Sequence, residues 1–464
     1  MRWPTAGADS GAGVARVVSE GNTPAQPASS RPSAASGEWT VAVVGIGADG
    51  WDGLGTAARA ELARAEVVVG SSRQLALLPA SLGAERRPLP SPLAQLFASL
   101  PTLAQRARTV VLASGDPMLH GIGATLADRF GPEHLRVYPH PSALAYVCAR
   151  LGWPEHEVTL VSSVAHELDT VRRWLQPGRR LCVYTPGRDG AARLGALLAA
   201  EGFGTSPAWL CERLGADDER ITPLPAGALA GREADPLHCV AVALASGGGA
   251  SPASGASASD SRTLADGRGA LAAANSLVPG IPEGAFAHDG QITKWPLRAL
   301  ALAALRPLPG ELLWDVGAGS GAVAIEWARS EPSGRAIAIE RRADRCLRIR
   351  ENASRFGVPA VEVVEGEAPA AFAELEPPSA IFVGGGTSSE TLLSACLAAL
   401  EAGGRPRRRL VAHAVTVEGE QALVRAAARY GGELLRVELA DLEPLGRLRG
   451  WRPRRPIVQW AVWL

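Results

Sequence analysis

The sequence has no excess charge, almost no lysine and no long apolar run. Among its 464 residues, 47 are lysine or arginine and 47 are aspartate or glutamate, and Lys294 is the single lysine. Zero net charge gives no electrostatic sign of a nucleic-acid partner. No apolar run approaches the roughly 18 residues of a membrane span, and the first residues lack a secretory signal. We therefore expect a cytoplasmic protein that binds neither nucleic acid nor membrane.

The six cysteines are too scattered for a metal or disulfide framework. None of them forms a CxxC pair or lies at zinc-binding spacing from histidines. The sequence thus predicts no metal site and a reducing compartment. Arginine, alanine, glycine and proline are abundant throughout, which we attribute to a GC-rich genome. Arginine clusters such as RLRGWRPRRP are accordingly expected to be solvated surface.

Two low-complexity stretches divide the chain. Residues 1–38 mix small and polar residues without periodicity, and residues 246–277 have a similar composition. Neither stretch can bury enough apolar surface to offset the entropy of ordering. We expect a disordered leader, a folded block at 39–245, a flexible linker and a second folded block at 278–464.

Both blocks alternate short β-branched runs with longer runs rich in alanine and leucine, which predicts α/β folds with largely parallel sheets. In the first block, six apolar segments from TVAVVGIG to HCVAVAL predict strands. The second block opens with the predicted helix KWPLRALALAAL. It closes with LLRVELA and PIVQWAVWL, which we expect to pair as antiparallel strands at the edge of the sheet.

A glycine loop joins a strand to a helix in the second block. In DVGAGSG, Gly317, Gly319 and Gly321 let the backbone approach a ligand that any Cβ would obstruct. Glu340 ends the next strand, where a carboxylate can accept ribose hydroxyls. This pattern also fits dinucleotide-dependent oxidoreductases. Asp315 before the loop, the preceding helix and the final antiparallel pair favour a class I, Rossmann-like methyltransferase that uses S-adenosylmethionine.

Two other segments of this block are candidates for binding substrate. Thr293 and Lys294 can lie near the mouth of the cofactor site, although a lysine here also fits a solvated helix start. The segment VGGGTSS places three glycines after an apolar strand and hydroxyls at the start of a helix. That arrangement suits anion capture by backbone N–H groups. The glycines are Gly384, Gly385 and Gly386.

The first block carries different motifs. A glycine turn in VVGIG and a Gly-Asp-Pro turn in LASGDPMLHGIGATL resemble the tetrapyrrole methylase family, and the resemblance spans residues 40–245. It implies a fold of two α/β subdomains that binds S-adenosylmethionine in a folded shape. Matched residue by residue, it implies cofactor contacts at Gly45, Gly47, Gly115, Asp116, Pro117, Ile122 and Ser142.

The first block is most similar to the branch that methylates carbon 5 of a precorrin ring. The second block resembles the companion enzymes that methylate carbon 15 and remove the carboxylate of an acetate side chain. Together these resemblances imply two methyl transfers to one precorrin-type tetrapyrrole in cobalamin biosynthesis, with S-adenosylmethionine as cofactor. They also imply a homo-oligomer. Asp315, Gly317, Gly319, Gly321 and Glu340 match the cofactor site of the companion family.

Three alternatives stay open at this point. The loop of the second block allows an NAD(P)-dependent oxidoreductase. Ala48 replaces a proline common in the first family, and SSVAHEL replaces its usual histidine-glycine-arginine stretch. These departures allow a first block that binds the macrocycle without methylating it. The sequence also does not distinguish a metal-free precorrin from a cobalt-precorrin of the anaerobic route.

Overall fold

The computed structural model describes residues 39–164, 166–245 and 276–464. The predicted leader lies outside the described residues, and so does the predicted linker apart from residues 276 and 277. Two five-stranded sheets lie within 39–245, here called the first unit. A seven-stranded sheet and a separate two-stranded hairpin lie within 276–464, the second unit.

The first unit begins with a parallel sheet in the order β3-β2-β4-β1-β5. Its first strand is buried along its whole length, because apolar clusters pack on both faces of the sheet. The strands are β1 (Val41–Ile46), β2 (Val67–Gly70), β3 (Glu85–Pro88), β4 (Thr109–Ser114) and β5 (Leu135–Tyr138), and the helices are α1 (Thr56–Ala63), α2 (Ser72–Ala76), α3 (Ala94–Arg106) and α4 (Ile122–Phe130).

A mixed sheet completes this unit in the order β6-β7-β10-β8-β9. Only β6 and β7 are parallel; the other neighbours are antiparallel. The elements are α5 (Ala143–Leu151), β6 (Val158–Ser162), β7 (Arg180–Tyr184), α6 (Gly190–Ala200), β8 (Pro207–Glu212), β9 (Arg220–Pro225) and β10 (His238–Ala243). The sequence pattern missed β3, β6, β8 and β9, which lie at or next to sheet edges. β3, β8 and β9 carry charge or proline that interrupts the apolar run, and β6 is a short VTLVS segment.

The second unit contains a seven-stranded sheet in the order β13-β12-β11-β14-β15-β19-β16. The predicted pairing of LLRVELA with PIVQWAVWL is confirmed, since β16 and β19 are antiparallel, and β19 also pairs with β15. The β17–β18 hairpin was not predicted. The elements are α7 (Trp295–Leu305), β11 (Leu312–Val316), α8 (Ala322–Ser330), β12 (Arg335–Glu340), α9 (Ala343–Arg355), β13 (Glu362–Glu365), β14 (Ala380–Val383), α10 (Glu390–Ala402), β15 (Arg409–Ala414), α11 (Val417–Tyr430), β16 (Glu433–Val437), β17 (Ala440–Leu445), β18 (Leu448–Pro453) and β19 (Ile457–Trp463).

Apolar side chains cover both faces of the seven-stranded sheet. One cluster includes Trp327 and Phe382, and the opposite cluster includes Trp314 and Trp460. The central strands β11, β14 and β15 are buried throughout, as strands of a doubly covered parallel sheet must be. In the described ranges, no helix combines the length and the hydrophobicity needed to cross a membrane.

A buried ion pair fastens the start of the second unit to its sheet. Arg298 on α7 and Glu326 on α8 are 0% and 1% exposed, and the Arg298 Nε donates to Glu326 at 2.9 Å. The carboxylate also accepts the backbone N–H groups of Gly280 and Ile281, at 2.7 and 3.0 Å. The guanidinium donates to the carbonyls of Thr293 and Ile281. The segment from Gly280 to Thr293 is thereby fastened at both ends to α7 and α8.

We expect Glu326→Gln to lower the free energy of unfolding of the second unit by about 3–5 kcal/mol, because a buried guanidinium loses its countercharge. The matched control is Glu376→Gln, which breaks an exposed pair with Arg335 and should cost at most about 1 kcal/mol. Urea titration followed by hydrogen exchange of peptides from β11 and α8 distinguishes this unit from the first. Equal stability of the two variants would contradict this role.

Candidate functional site

Each unit has one large cavity at the carboxyl ends of its parallel strands, where ligands of open α/β sheets bind. The first cavity, of about 460 Å³, lies between the two sheets of the first unit and is lined from both. The second cavity, of about 900 Å³, lies where β11, β14 and β15 end. Both volumes are in the usual range for small-molecule sites, roughly 300–1,000 Å³.

Gly45 and Gly47 turn the chain after β1 where any side chain would collide. A Cβ on Gly45 would lie 2.2 Å from the carbonyl oxygen of Gly115, and one on Gly47 would lie 2.5 Å from His140 Cε1 and from Asp49 Oδ1. Gly115 has φ +61°, in the left-handed region that glycine favours. Gly47 and Gly115 line the first cavity, and Gly45 supports the turn from behind.

The other residues expected to bind cofactor in this unit divide into two groups. Asp116 and Ser142 line the first cavity. Asp116 accepts the backbone N–H two residues further on, and Ser142 caps α5 by accepting the N–H three residues further on. Pro117 and Ile122 are not lining residues. The Pro117 carbonyl packs under the start of α4, and Ile122 packs against the apolar cluster beneath the sheet.

A hydrogen-bonded network that sequence reasoning missed lies beneath the glycine turn. Asp49 Oδ2 accepts the Tyr146 hydroxyl at 3.2 Å and lies 3.2 Å from His140 Nε2. Burial, and then the charge of Asp49, raise the pKa of Tyr146, whose ring lines the first cavity. Asp49 and His140 each follow the end of a parallel strand. Their position after a strand is a feature that the sequence could have shown, but it does not tell which of these side chains meet in the fold.

The opposite wall of the first cavity comes from the second sheet. Thr185 follows β7, and its Oγ1 lies 2.7 Å from Nε2 of His238, the first residue of β10. Burial lowers the pKa of His238, which favours the neutral ring. Arg73, just after β2, lies on the wall formed by the first sheet. Sequence reasoning singled out none of these three residues.

The predicted glycine loop of the second unit wraps the end of β11. Gly317, Gly319 and Gly321 all have positive φ, at +70°, +60° and +74°. A Cβ on Gly321 would lie 2.7 Å from Cγ2 of Ile349, and one on Gly317 would lie 3.4 Å from the backbone nitrogen of Gly385. Gly317 and Gly319 line the second cavity. Gly321 lies behind it and begins α8.

Glu340 and Asp315 support this loop with buried carboxylates. Glu340 accepts the N–H of Gly319 at 2.9 Å and that of Arg342 at 3.1 Å. Its oxygens keep lone pairs that can accept ribose hydroxyls. Asp315 lines the second cavity and accepts the N–H of Ala324 at 3.0 Å. Burial, reinforced by the charge of Glu340, raises the pKa of Asp315 to about 7.

Thr293 and Lys294 lie on the wall of the second cavity, as does Arg345. Lys294 precedes α7, so it is both a cavity residue and the helix start that the sequence allowed. Their segment is anchored by Asp289, whose carboxylate accepts Arg345 Nε at 2.9 Å. The Arg345 hydrogen bond, assisted by the N–H of Gln291, lowers the pKa of Asp289 to about 2.

Gly384, Gly385 and Gly386 line the same cavity, opposite the glycine loop. The Gly384 N–H donates to Val316 O at 3.0 Å, so the fold already uses one of the three amides that the sequence suggested for anion capture. His413 also lines the cavity, 2.9 Å from Gln459 through Nε2. Burial lowers its pKa to about 4, so the ring is neutral near pH 7.

The segment RLRGWRPRRP is not merely solvated surface, contrary to the expectation from composition. It forms β18 and the residues after it, and Arg452, Arg454 and Arg455 line the outer part of the second cavity. Arg454 Nη2 donates to Asp441 at 2.7 Å, and Arg452 Nη1 donates to Glu443 at 3.1 Å. The hairpin fold brings these charges to the cavity, and the arginine-rich composition concealed the signal.

Both cavities fit a nucleoside-type cofactor. Glycines allow the backbone to approach closely, and a buried carboxylate supports the loop of the second cavity. Gly47, Gly115, Asp116 and Ser142 would contact such a group in the first cavity, and Gly317 and Gly319 would do so in the second. Within the part of the chain that the structure describes, no cluster of three or more His, Cys, Asp or Glu residues could hold a metal ion.

Models of two protein families match the two units. Residues 40–230 match the tetrapyrrole (corrin/porphyrin) methylases. Residues 284–464 match the precorrin methyltransferase domain. A crystal structure of the C-terminal domain of precorrin-6Y C5,15-methyltransferase from Rhodobacter capsulatus is 52% identical to this chain. The match covers 41% of this chain and 100% of that one, with a TM-score of 0.38.

Relatives of nearly full length bear one name, precorrin-6Y C(5,15)-methyltransferase [decarboxylating]. The protein from Sinorhizobium sp is 41% identical over 90% of this chain and 95% of its own length. The protein from Mycobacterium tuberculosis (strain CDC 1551 / Oshkosh) is 44% identical over 91% of this chain and 99% of its own length. These matches do not support the oxidoreductase that the glycine pattern left open. The chain belongs to the precorrin-6Y C(5,15)-methyltransferase (decarboxylating) family.

Proposed function

We propose that this chain methylates a precorrin macrocycle at carbons 5 and 15, and removes the carboxylate of an acetate side chain, in cobalamin biosynthesis. S-adenosylmethionine is the cofactor of both transfers. The observation that carries the proposal is the presence of two separate cavities, each built on a glycine turn at the carboxyl edge of a parallel sheet. Two relatives that match over nine-tenths of this chain, both named precorrin-6Y C(5,15)-methyltransferase [decarboxylating], support the same conclusion.

The two reactions divide between the two units. Residues 39–245 methylate carbon 5, which their match to the tetrapyrrole methylases supports. Residues 278–464 methylate carbon 15 and decarboxylate, which their match to the precorrin methyltransferase domain supports. Residues 1–38 and 246–277 serve as leader and linker. The exposed apolar side chains of the β17–β18 hairpin support a homo-oligomer; they are Leu442, Leu445, Leu448 and Trp451. The six free cysteines support a cytoplasmic location.

The protein contributes alignment rather than a covalent partner. When bound, S-adenosylmethionine supplies an electrophilic methyl group for an electron-rich ring carbon. Gly317 and Gly319 would hold it by backbone approach, and Asp315 keeps the loop against α8. Glu340 is buried behind the loop and is not in the cavity lining; it would accept the ribose hydroxyls through the lone pairs that Gly319 and Arg342 leave free. In the first cavity Gly47, Gly115, Asp116 and Ser142 would hold it, Gly45 and Pro117 would support the turn from behind, and Ile122 would stabilise the start of α4 in the apolar cluster. Alignment of this kind is worth up to roughly 7–11 kcal/mol.

The substrate carboxylates are bound by cations and amides at the edge of the second cavity. Thr293 and Lys294 lie on one wall, and the loop of Gly384, Gly385 and Gly386 lies on the other. During decarboxylation the bond from the side-chain carbon to the carboxyl carbon breaks. Its electron pair enters the conjugated ring, and the side-chain carbon then takes up a proton. Holding the acetate close to the ring aligns that bond with the conjugated system.

Mass spectrometry of the product tests the proposal directly. Purified protein with S-adenosylmethionine and precorrin-6B should add two methyl groups and release one carbon dioxide. The cobalt-bearing precursor, tested in parallel, identifies which form of the macrocycle is accepted. One methyl group plus decarboxylation would mean that the first unit binds without methylating. If neither precursor is methylated, the proposal is wrong.

Two glycine variants test the division between units. Gly47→Ala places a methyl group 2.5 Å from His140 and Asp49, and Gly317→Ala strains a backbone at φ +70°. We expect Gly47→Ala to stop at a singly methylated, decarboxylated product. Gly317→Ala should yield no decarboxylation. Gly83→Ala is the control, since its Cβ would meet no atom within 4 Å. If both variants lose the same activity, the division between units is wrong.

The raised pKa of Asp315 makes stability depend on pH. Between about pH 4 and about pH 7 the folded chain keeps a proton that the unfolded chain has released, so the free energy of unfolding falls as pH rises. Asp315→Asn should flatten this slope in the second unit. Asp344→Asn, an exposed carboxyl whose pKa Arg342 lowers, should not flatten it. Thermal unfolding between about pH 5 and about pH 8 measures both slopes; equal slopes in wild type and Asp315→Asn would refute this.

A further inference from the structure

Arg73 is fastened at the edge of the first cavity. It follows β2 and lies in α2, and its Nη2 donates to the hydroxyl of Ser114 at 3.0 Å. Gln74 Nε2 donates to the same oxygen at 3.0 Å. Ser114 ends β4 and directly precedes Gly115, so the guanidinium is held beside the glycine turn. Arg73 and Ser114 both line the cavity.

No carboxylate of the described residues forms a salt bridge with Arg73. Some arginines of this unit are paired with carboxylates instead, such as Arg136 with Glu61 at 3.0 Å and Arg150 with Glu219 at 2.6 Å. A guanidinium carries five N–H donors, and the hydroxyl of Ser114 accepts one of those of Arg73. Arg73 lines an opening of about 460 Å³, which is large enough for a ligand that could accept from the remaining donors.

A second guanidinium approaches from the opposite sheet. Arg213 follows β8, is paired with Asp218 at 2.6 Å, and has the left-handed φ of 51° that is uncommon outside glycine. Its backbone N–H donates to Leu237 O at 2.9 Å, and Leu237 lines the cavity. Burial lowers the pKa of Arg73, Arg213 lowers it further, and Asp235 partly offsets this. Asp116 also lines this cavity, so the opening holds one carboxyl group together with Arg73, a guanidinium that has no salt bridge among the described residues.

An anion with a planar, two-oxygen group best matches a guanidinium with free donors. Carboxylates from two sources are candidates for this opening: the carboxylate of the methyl donor and the peripheral carboxylates of the macrocycle. The carboxylate of the donor is already offset by the ammonium on the same carbon. The peripheral carboxylates of a precorrin have no such countercharge.

We propose that Arg73 is the receptor of the first cavity for a peripheral carboxylate of the macrocycle, and that it orients the ring for transfer to carbon 5. The inference rests on the proposed function and assigns a specificity-determining residue to it. It explains why a serine hydroxyl, and not a carboxylate, fastens this arginine.

The test uses the full chain, so that the second unit is an internal control. Arg73→Gln should raise the KM of carbon 5 methylation for the tetrapyrrole about tenfold or more, as expected for loss of a charge-assisted pair. Carbon 15 methylation and decarboxylation should keep their rates. The Kd of S-adenosylhomocysteine for the first unit, read from the hydrogen exchange of peptides from β1 and β4, should stay within about twofold, because its carboxylate is not the partner. Arg73→Lys keeps the positive charge but loses the paired N–H donors of the guanidinium, so its KM for carbon 5 methylation should lie between those of the wild type and Arg73→Gln.

Arg87→Gln is the matched control, since Arg87 is exposed on β3 and pairs with Glu85 at 2.7 Å. It should leave unchanged the KM of carbon 5 methylation, the rates of carbon 15 methylation and decarboxylation, and the Kd of S-adenosylhomocysteine. An unchanged KM in Arg73→Gln would overturn the inference while leaving the proposed function intact. A weaker Kd for S-adenosylhomocysteine with an unchanged KM would assign Arg73 to the methyl donor instead, and would also overturn it. If wild-type protein adds no methyl at carbon 5, both the proposed function of this unit and the inference are wrong.

Discussion

The structure depends on how closely backbone can approach backbone where parallel strands end. In the first unit the carbonyl of Gly115 occupies the space that a Cβ on Gly45 would need, at 2.2 Å. In the second unit Gly317 faces Gly385, and Gly321 lies against Ile349. The Gly45–Gly115 and Gly317–Gly385 contacts bring loops at neighbouring strand ends together through backbone alone, and the missing side chain of Gly321 leaves room for Ile349 at the start of α8. The cavities, and every group that lines them, follow from that constraint.

Buried polar anchors then decide which segments cover the cavities. Arg298 and Glu326 are both almost fully buried. Besides bonding to each other, they form hydrogen bonds with backbone groups of Gly280, Ile281 and Thr293. Asp289 and Arg345 fix the end of the same segment. Lys294 thereby reaches the wall of the second cavity. A buried pair of this kind costs desolvation energy, and what it secures here is the position of a wall segment.

Local charge, not net charge, equips both cavities for an anionic macrocycle. The chain is neutral as a whole, and many of its arginines are paired with carboxylates on the surface, such as Arg87 with Glu85 and Arg335 with Glu376. At the cavities the balance differs. Arg73 is fastened by a hydroxyl. In the lining of the second cavity, Lys294 and Arg455 add positive charge beside Arg452 and Arg454, which are paired with Glu443 and Asp441. Such local cations suit the carboxylate-rich substrate that we propose.

The sequence by itself determined the α/β class, the two units, their glycine turns and most buried strands, because apolar periodicity and glycine spacing are local properties. It could not identify edge strands such as β3, nor the β17–β18 hairpin, because charge and proline there hide the pattern. Only the tertiary structure decided that Asp49, His140 and Tyr146 meet, that Ile122 packs away from the cavity, and that Gly384 spends its N–H on Val316. Such contacts join residues distant in the chain, and no local spacing encodes them.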